Sequence, residues 1–97
     1  MALKIVWTPK ALEGLDSVLD YLDIHWTSKE ILILESKIEE FKSQVERTPF
    51  IYPTTGKHKY IRKAVLSKHN YIIYRIKPQK KVIEIIYFKA SKQKPDS

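Results

Sequence analysis

Ninety-seven residues with a formal net charge of +7 leave room for one domain, because a second hydrophobic core would have too little surface to bury. The chain contains no cysteine, which excludes a disulfide framework, a thiolate metal site and a cysteine nucleophile. No apolar run approaches the roughly 18 residues of a membrane span, and the first residues lack the parts of a signal peptide, so we expect a cytoplasmic protein without membrane contact.

Residues 4–7 form a short β-type run of branched and aromatic side chains. Thr8 followed by Pro9 then indicates a helix start, with Thr8 as the N-cap and Pro9 at the first helical position, where its missing N–H costs no hydrogen bond. Apolar residues recur after it at spacings of three and four, which predicts one buried helix face. Its members are Leu12, Leu15, Leu19, Leu22 and Trp26.

A second helix is predicted from a capping box and a second apolar stripe. Thr27 is expected to cap the backbone amide of Glu30, whose side chain reaches back to Thr27. Pro49 ends the pattern, and Arg47 lies in the last turn, where a cation suits the helix dipole. Because the connection between the helices is short, we expect a helical hairpin. The stripe consists of Ile31, Leu34, Ile38, Phe41 and Val45.

The second half of the chain predicts an irregular loop at residues 50–58 and then three strands. Runs rich in branched and aromatic residues occur at 60–66, 71–77 and 82–88. Both faces of the last two strands are fairly apolar, so we expect both strands to be central in the sheet and well covered. Alternation puts Ile72, Tyr74 and Ile76 on one face, and on the last strand it separates Ile83, Ile85 and Tyr87 from Val82, Glu84, Ile86 and Phe88.

Together these elements predict an α+β domain with the order β-α-α-β-β-β, in which a helical hairpin packs on a small antiparallel-rich sheet. One domain spans 1–97, and its last part, 89–97, is a basic C-terminal tail. Residues 1–50 contain six Lys/Arg and nine Asp/Glu, whereas residues 51–97 contain twelve and two. An acidic helical half and a basic sheet half indicate a binding protein with an anionic partner.

The segment Lys57–Lys63 interleaves cations with a tyrosine ring, as phosphate-binding surfaces do. A solvated edge strand protected by lysines has the same composition, so the segment alone does not decide between the two. Further lysines near the end of the chain favour an anionic partner. The candidate target-binding residues are Lys57, Lys59, Arg62, Arg75, Lys89, Lys92 and Lys94.

Few residues suggest catalysis. The sequence has no Gly-rich phosphate-binding motif, no H-E-x-x-H and no G-x-S-x-G. His58 and His69 flank one predicted strand and are candidates for general acid–base catalysis by location alone, whereas His25 is expected to interact with the end of the first helix. Glu84 is either the base of an RNA-cleaving site or, as we prefer, a cross-strand salt-bridge partner. No metal ion or cofactor is expected.

Several segments match one known pattern. The opening Lys4–Leu15, with Leu19–Leu22 and Trp26, resembles the start of the ParE/RelE superfamily toxins of type II toxin–antitoxin systems. The later segments resemble the rest of that pattern: Ile61–Val65, Asn70–Ile76, Ile83–Phe88 and Gln93–Pro95. The resemblance covers nearly the whole chain, and it implies the same order of elements as the periodicity does.

The resemblance implies a toxin neutralised by a cognate antitoxin encoded beside it. A helix in a groove and an added strand are the docking modes available, and a basic toxin suits an acidic or amphipathic antitoxin segment. Ile24 and Ile33 are expected to bind the antitoxin because both are predicted to be exposed. A charge at Leu19 or Leu22 is instead expected to destabilise the fold.

The resemblance implies two targets. RelE-like members cleave mRNA on the ribosome with cations on the open sheet face, whereas ParE-like members poison DNA gyrase. Tyr71 stands where RelE-like nucleases tend to carry a catalytic arginine, and Lys92 replaces a frequent arginine, which loses bidentate phosphate binding. We therefore expect a ParE-like toxin that inhibits gyrase by binding. The alternatives are a RelE-like ribosome-dependent mRNA endonuclease and an inactive homologue that only binds antitoxin. The catalytic candidates for a nuclease are Arg62, Arg75, Lys59, His58 and His69.

Overall fold

Four strands and two helices follow one another in the predicted order in a computed structural model that describes residues 3–25, 28–67 and 69–90, without the side chains of 22–25. The elements are β1 (Lys4–Trp7), α1 (Pro9–His25), α2 (Ser28–Arg47), β2 (Ile61–Val65), β3 (Asn70–Lys77) and β4 (Val82–Ala90). A short 3₁₀ turn, Pro78–Lys80, joins β3 to β4. Strand β4 extends two residues into the predicted tail, whose remaining residues lie outside the described ranges.

The four strands form one mixed sheet in the order β1-β4-β3-β2. Strand β1 runs parallel to β4, while β3 is antiparallel to both β4 and β2. The antiparallel-rich sheet and the central position of β3 and β4 are therefore confirmed. Both helices contribute to the core on one face, whereas the other face of β3 is half-buried or exposed, so these strands are well covered on one side only. Neither helix in the described residues has the length and apolar character to cross a membrane.

The start of α1 confirms Thr8 as the N-cap. The backbone amide of Ala11 donates to Thr8 Oγ1 (3.2 Å), and the same hydroxyl donates to the carbonyl oxygen of Ile85 (2.8 Å), which ties the helix start to β4. The predicted apolar stripe is wrong at Leu12, which is 46% exposed. The helix instead presents Ala11 and Gly14 to the sheet, because these small residues let its backbone approach β4 closely.

The stripe predicted for α2 is confirmed. Leu34, Ile38, Phe41 and Val45 are buried, and Ile31 is half-buried against them. Arg47 is the last residue of the helix, as expected. The capping residue Thr27 lies outside the described residues, as does Trp26 of the first stripe. The buried face of the sheet that meets these helices consists of Ala64, Ile72, Tyr74, Ile76, Ile83, Ile85 and Phe88.

A β-bulge changes the face assignment at the end of β4. In the pairing of β3 with β4, Ile73 opposes Tyr87 and Tyr74 opposes Ile85, so Ile86 is the extra residue. One extra residue reverses the alternation beyond it. Phe88 is therefore buried, and Tyr87 is on the opposite face, which corrects the prediction for both residues.

Candidate functional site

The face of the sheet that points away from the helices, which we call the open face, concentrates positive charge. Its members follow from the alternation of each strand and from the cross-strand register. Among the residues that the structure describes, five cations lie on it beside one carboxylate, which gives the open face a strongly positive potential. Its charged and aromatic residues are Lys4, Lys63, Arg75, Lys77, Lys89, Glu84, Tyr71 and Tyr87.

Two tyrosine rings of the open face each lie beneath a lysine. The Nζ of Lys63 is 4.4 Å from the centre of the Tyr71 ring, and the Nζ of Lys89 is 5.0 Å from that of Tyr87. Such contacts stabilise an exposed site by about 0.5–1 kcal/mol each. Tyr71 and Tyr87 were not predicted as site residues, although a correct register places Tyr71 opposite Lys89 and puts Tyr87 on the same face two residues before Lys89.

Glu84, the one carboxylate on the described part of the open face, is paired. Glu84 Oε2 lies 3.2 Å from the Nζ of Lys77 on the adjacent strand. The preferred prediction of a cross-strand salt bridge is confirmed, with Lys77 as the partner. Arg75, which opposes Glu84 in the register, remains an exposed guanidinium.

Arg62 lies on the other face of the sheet from Arg75. It opposes the buried Tyr74 in the β2–β3 register, so alternation directs it to the helix side. Its Nε donates to the carbonyl oxygen of Lys59 (2.9 Å), and its Nη1 donates to that of Tyr52 (2.8 Å). The structure therefore does not bring Arg62 and Arg75 together on one surface.

Four further candidates, Lys57, His58, Lys59 and His69, lie near the ends of β2. Lys57, His58 and Lys59 are exposed in the loop before the strand, and His69 is in the turn after it. The five residues of β2 separate His58 from His69 by about 17 Å of extended backbone, so the two imidazoles do not converge. Lys89 lies on the open face, whereas Lys92 and Lys94 are outside the described residues.

A largely buried aromatic cluster joins α2, the loop after it and β3. The ring of Tyr74 lies 5.4 Å from that of Phe41 and 6.3 Å from that of Tyr52. The hydroxyl of Tyr74 donates to the carbonyl oxygen of Pro49 (2.7 Å), and that of Tyr52 donates to Gln44 Oε1 (2.7 Å). Burial raises the pKa of both tyrosines, so both hydroxyls remain protonated donors at neutral pH.

On the helical side, Ile33 of α2 is 47% exposed beside Leu32, which is 64% exposed. The side chain of the other antitoxin candidate, Ile24, lies outside the described part of the chain. Among the described side chains, no three His, Asp or Glu residues are placed to hold a metal ion.

Comparison with protein-family models and with curated proteins finds no match to this chain. Solved structures do match. The isolated E. coli RelE toxin has a TM-score of 0.70 and 14% sequence identity, over 97% of this chain and 89% of that chain. The chromosomal ParDE toxin–antitoxin system from P. aeruginosa matches with a TM-score of 0.73 and 18% sequence identity, over 94% of this chain and 98% of that chain. A YoeB/ParE toxin from Agrobacterium tumefaciens matches with a TM-score of 0.66 and 17% sequence identity, over 93% of this chain and 100% of that chain. A helical pair on a mixed four-stranded sheet, matched over nearly the full length of both chains, gives this protein the fold of the RelE and ParE toxins.

Proposed function

We propose that this chain is the toxin of a type II toxin–antitoxin pair and that it acts on DNA gyrase by binding. The fold shared with RelE and ParE toxins supports the toxin function. The open face supports a binding mode, since Arg75 and Lys89 are exposed on it while the carboxylate of Glu84 is held by Lys77. The acid–base candidates His58 and His69 lie at opposite ends of β2 rather than together. The proposed target contacts are Lys57, Lys59, Arg75, Lys89, Lys92 and Lys94, and Lys63 joins them.

A triple variant of the open face tests this proposal. We expect Lys63→Ala/Arg75→Ala/Lys89→Ala to restore viable counts after induction toward those of an empty vector, because the target loses three cationic contacts. The free energy of unfolding should change by no more than about 2 kcal/mol, mostly from the two lost lysine–tyrosine contacts. Growth after induction and thermal unfolding of the purified variants measure both effects.

The matched control removes the same charge from the helices. Lys10, Lys29 and Lys37 are exposed on α1 and α2, and their triple alanine variant should stay fully toxic. Full toxicity of the open-face variant, or equal relief in both variants, would contradict a specific contact on this face.

RelE-like cleavage of mRNA is the second candidate, and one observation favours it. Tyr71 and Tyr87 each combine a ring with a lysine 4.4 and 5.0 Å away, and rings beside cations are how single-stranded nucleic acid is bound. Cuts in mRNA that appear only when ribosomes are present would establish this function. Their absence at high toxin concentration would remove it.

We propose that the cognate antitoxin docks on the helices at the exposed Ile33. Replacing this side chain by a carboxylate places an unpaired charge against the partner's apolar surface. We expect Ile33→Glu to weaken binding to the product of the adjacent gene by about tenfold or more, with little change in stability. Titration calorimetry of the purified pair measures the affinity.

Ile51→Glu is the control for Ile33→Glu, since Ile51 is 51% exposed but lies in the loop before β2. It should bind the antitoxin as the unmodified chain does. Wild-type affinity of Ile33→Glu would show that the antitoxin docks elsewhere.

A further inference from the structure

A single guanidinium connects both ends of the loop that spans residues 48–60 between α2 and β2. Nη1 of Arg62 donates to the carbonyl oxygens of Phe50 (3.2 Å) and Tyr52 (2.8 Å) at the start of the loop. Its Nε donates to the carbonyl oxygen of Lys59 (2.9 Å) at the end of the loop. The same group lies 4.9 Å from the centre of the Phe50 ring. One side chain thus closes a segment that has no regular secondary structure of its own.

The backbone of the loop is folded back on β2 around this group. The amide of Lys63 donates to the carbonyl oxygen of Pro53 (2.9 Å), and that of Thr55 donates to Ile61 (3.3 Å). The amide of Ile61 in turn donates to the carbonyl oxygen of His58 (3.2 Å). The position of the cationic residues at the end of the loop therefore depends on these few hydrogen bonds and on the Arg62 contacts.

Lysine at this position keeps the charge but not the connections. An ammonium is a compact point charge, whereas the planar guanidinium reaches several acceptors at fixed angles. A cation that acted by attracting a distant anionic target would tolerate lysine. A cation that bridges three carbonyl groups would not.

We propose that Arg62 is a positioning residue that fixes the 48–60 loop and thereby places Lys57, His58 and Lys59 at the entry to β2, rather than a cation that contacts the target. The effect of Arg62 on toxicity rests on the proposed function, whereas the effect of Arg62 on the loop does not. Arg75, on the neighbouring strand but exposed on the open face, is the arginine that contacts the target.

Hydrogen–deuterium exchange of the purified chain tests the structural half of this proposal without any target. In Arg62→Ala and in Arg62→Lys, the amides of Thr55, Ile61 and Lys63 should exchange about tenfold faster or more, because the loop opens locally. The amides of β3 and β4 should keep their protection. Arg75→Ala should leave exchange in the loop unchanged.

Growth of cells that express the same variants tests whether the Arg62 contacts are needed for toxicity. We expect both Arg62 variants to lose toxicity, with no rescue by Arg62→Lys, while Arg75→Ala loses toxicity with its loop intact. Toxicity lost in Arg62→Lys with loop exchange unchanged would overturn the proposal, as would toxicity restored by lysine. Loss of protection throughout β3 and β4 in both variants would also overturn it, because Arg62 would then support the whole sheet.

The failure of the proposed function is a separate outcome. If the unmodified chain causes no growth arrest, the toxin proposal fails, yet faster exchange confined to the loop in both Arg62 variants still supports the positioning role. If the unmodified chain is toxic but loop exchange is unchanged in both Arg62 variants, the positioning role fails and the toxin proposal stands. The two conclusions therefore do not depend on one readout.

Discussion

Gly14→Ala is expected to unfold at a temperature about 10 °C lower than the unmodified chain, which corresponds to roughly 2 kcal/mol or more for a domain of this size. A Cβ atom at residue 14 would overlap the backbone carbonyl oxygen of Phe88 in β4. The obstacle is strand backbone, which cannot rotate away as a side chain can, so α1 must move off the sheet. The higher helix propensity of alanine offsets only about 1 kcal/mol of this cost. Thermal and urea unfolding followed by circular dichroism measure the change.

The control for Gly14→Ala is Ser17→Ala, three residues further along the same helix. Ser17 is exposed, so its replacement should change stability by no more than about 0.5 kcal/mol. If Gly14→Ala were as stable as the unmodified chain, the close approach of α1 to β4 would not exist in solution.

Phe41→Ala is expected to have the largest effect of any single truncation, a loss of about 3–5 kcal/mol. The Phe41 side chain is 1% exposed and lies between the helix and two tyrosines, with ring centres 5.4 Å from Tyr74 and 5.8 Å from Tyr52. The cavity would also remove the packing that holds the Tyr74 hydroxyl on Pro49. Because a small domain is stable by only about 5–15 kcal/mol, such a loss leaves the variant near its unfolding threshold.

Phe50→Ala is the matched control for Phe41→Ala. Phe50 is 43% exposed in the loop after α2 and contacts the Tyr60 ring at 5.8 Å, so its truncation should cost about 1 kcal/mol or less. Urea midpoints of the two variants, compared at one temperature, decide the point. Equal destabilisation by both truncations would contradict the burial of the Phe41 cluster.

Periodicity predicted most of the fold because apolar spacing and burial agree over long elements. The stripe of α2 is one example, since Phe41 and Val45 are buried as expected. The stripe of α1 was predicted wrongly at Leu12, because a search for large apolar residues overlooks a contact made by Ala11 and Gly14. Close packing favours small residues there, and only the position of the opposing strand reveals it.

The candidate site was harder to predict because it depends on register rather than on composition. A count with period two assumes an unbroken strand, so the extra Ile86 could not be anticipated, and Tyr87 and Phe88 were assigned to the wrong faces. Grouping Arg62 with Arg75 came from their shared charge. The two arginines can be assigned to opposite faces of the sheet only once Arg62 is known to oppose Tyr74. That pairing is part of the β2–β3 register.

Induced expression of the unmodified chain in a bacterium that carries a reporter of the DNA-damage response tests the central claim most directly. We predict growth arrest with induction of the reporter, because a poisoned gyrase leaves DNA breaks. Arrest with a silent reporter would contradict gyrase as the target and favour cleavage of mRNA on the ribosome. Normal growth at a verified protein level would contradict the toxin function itself and leave an inactive antitoxin-binding homologue.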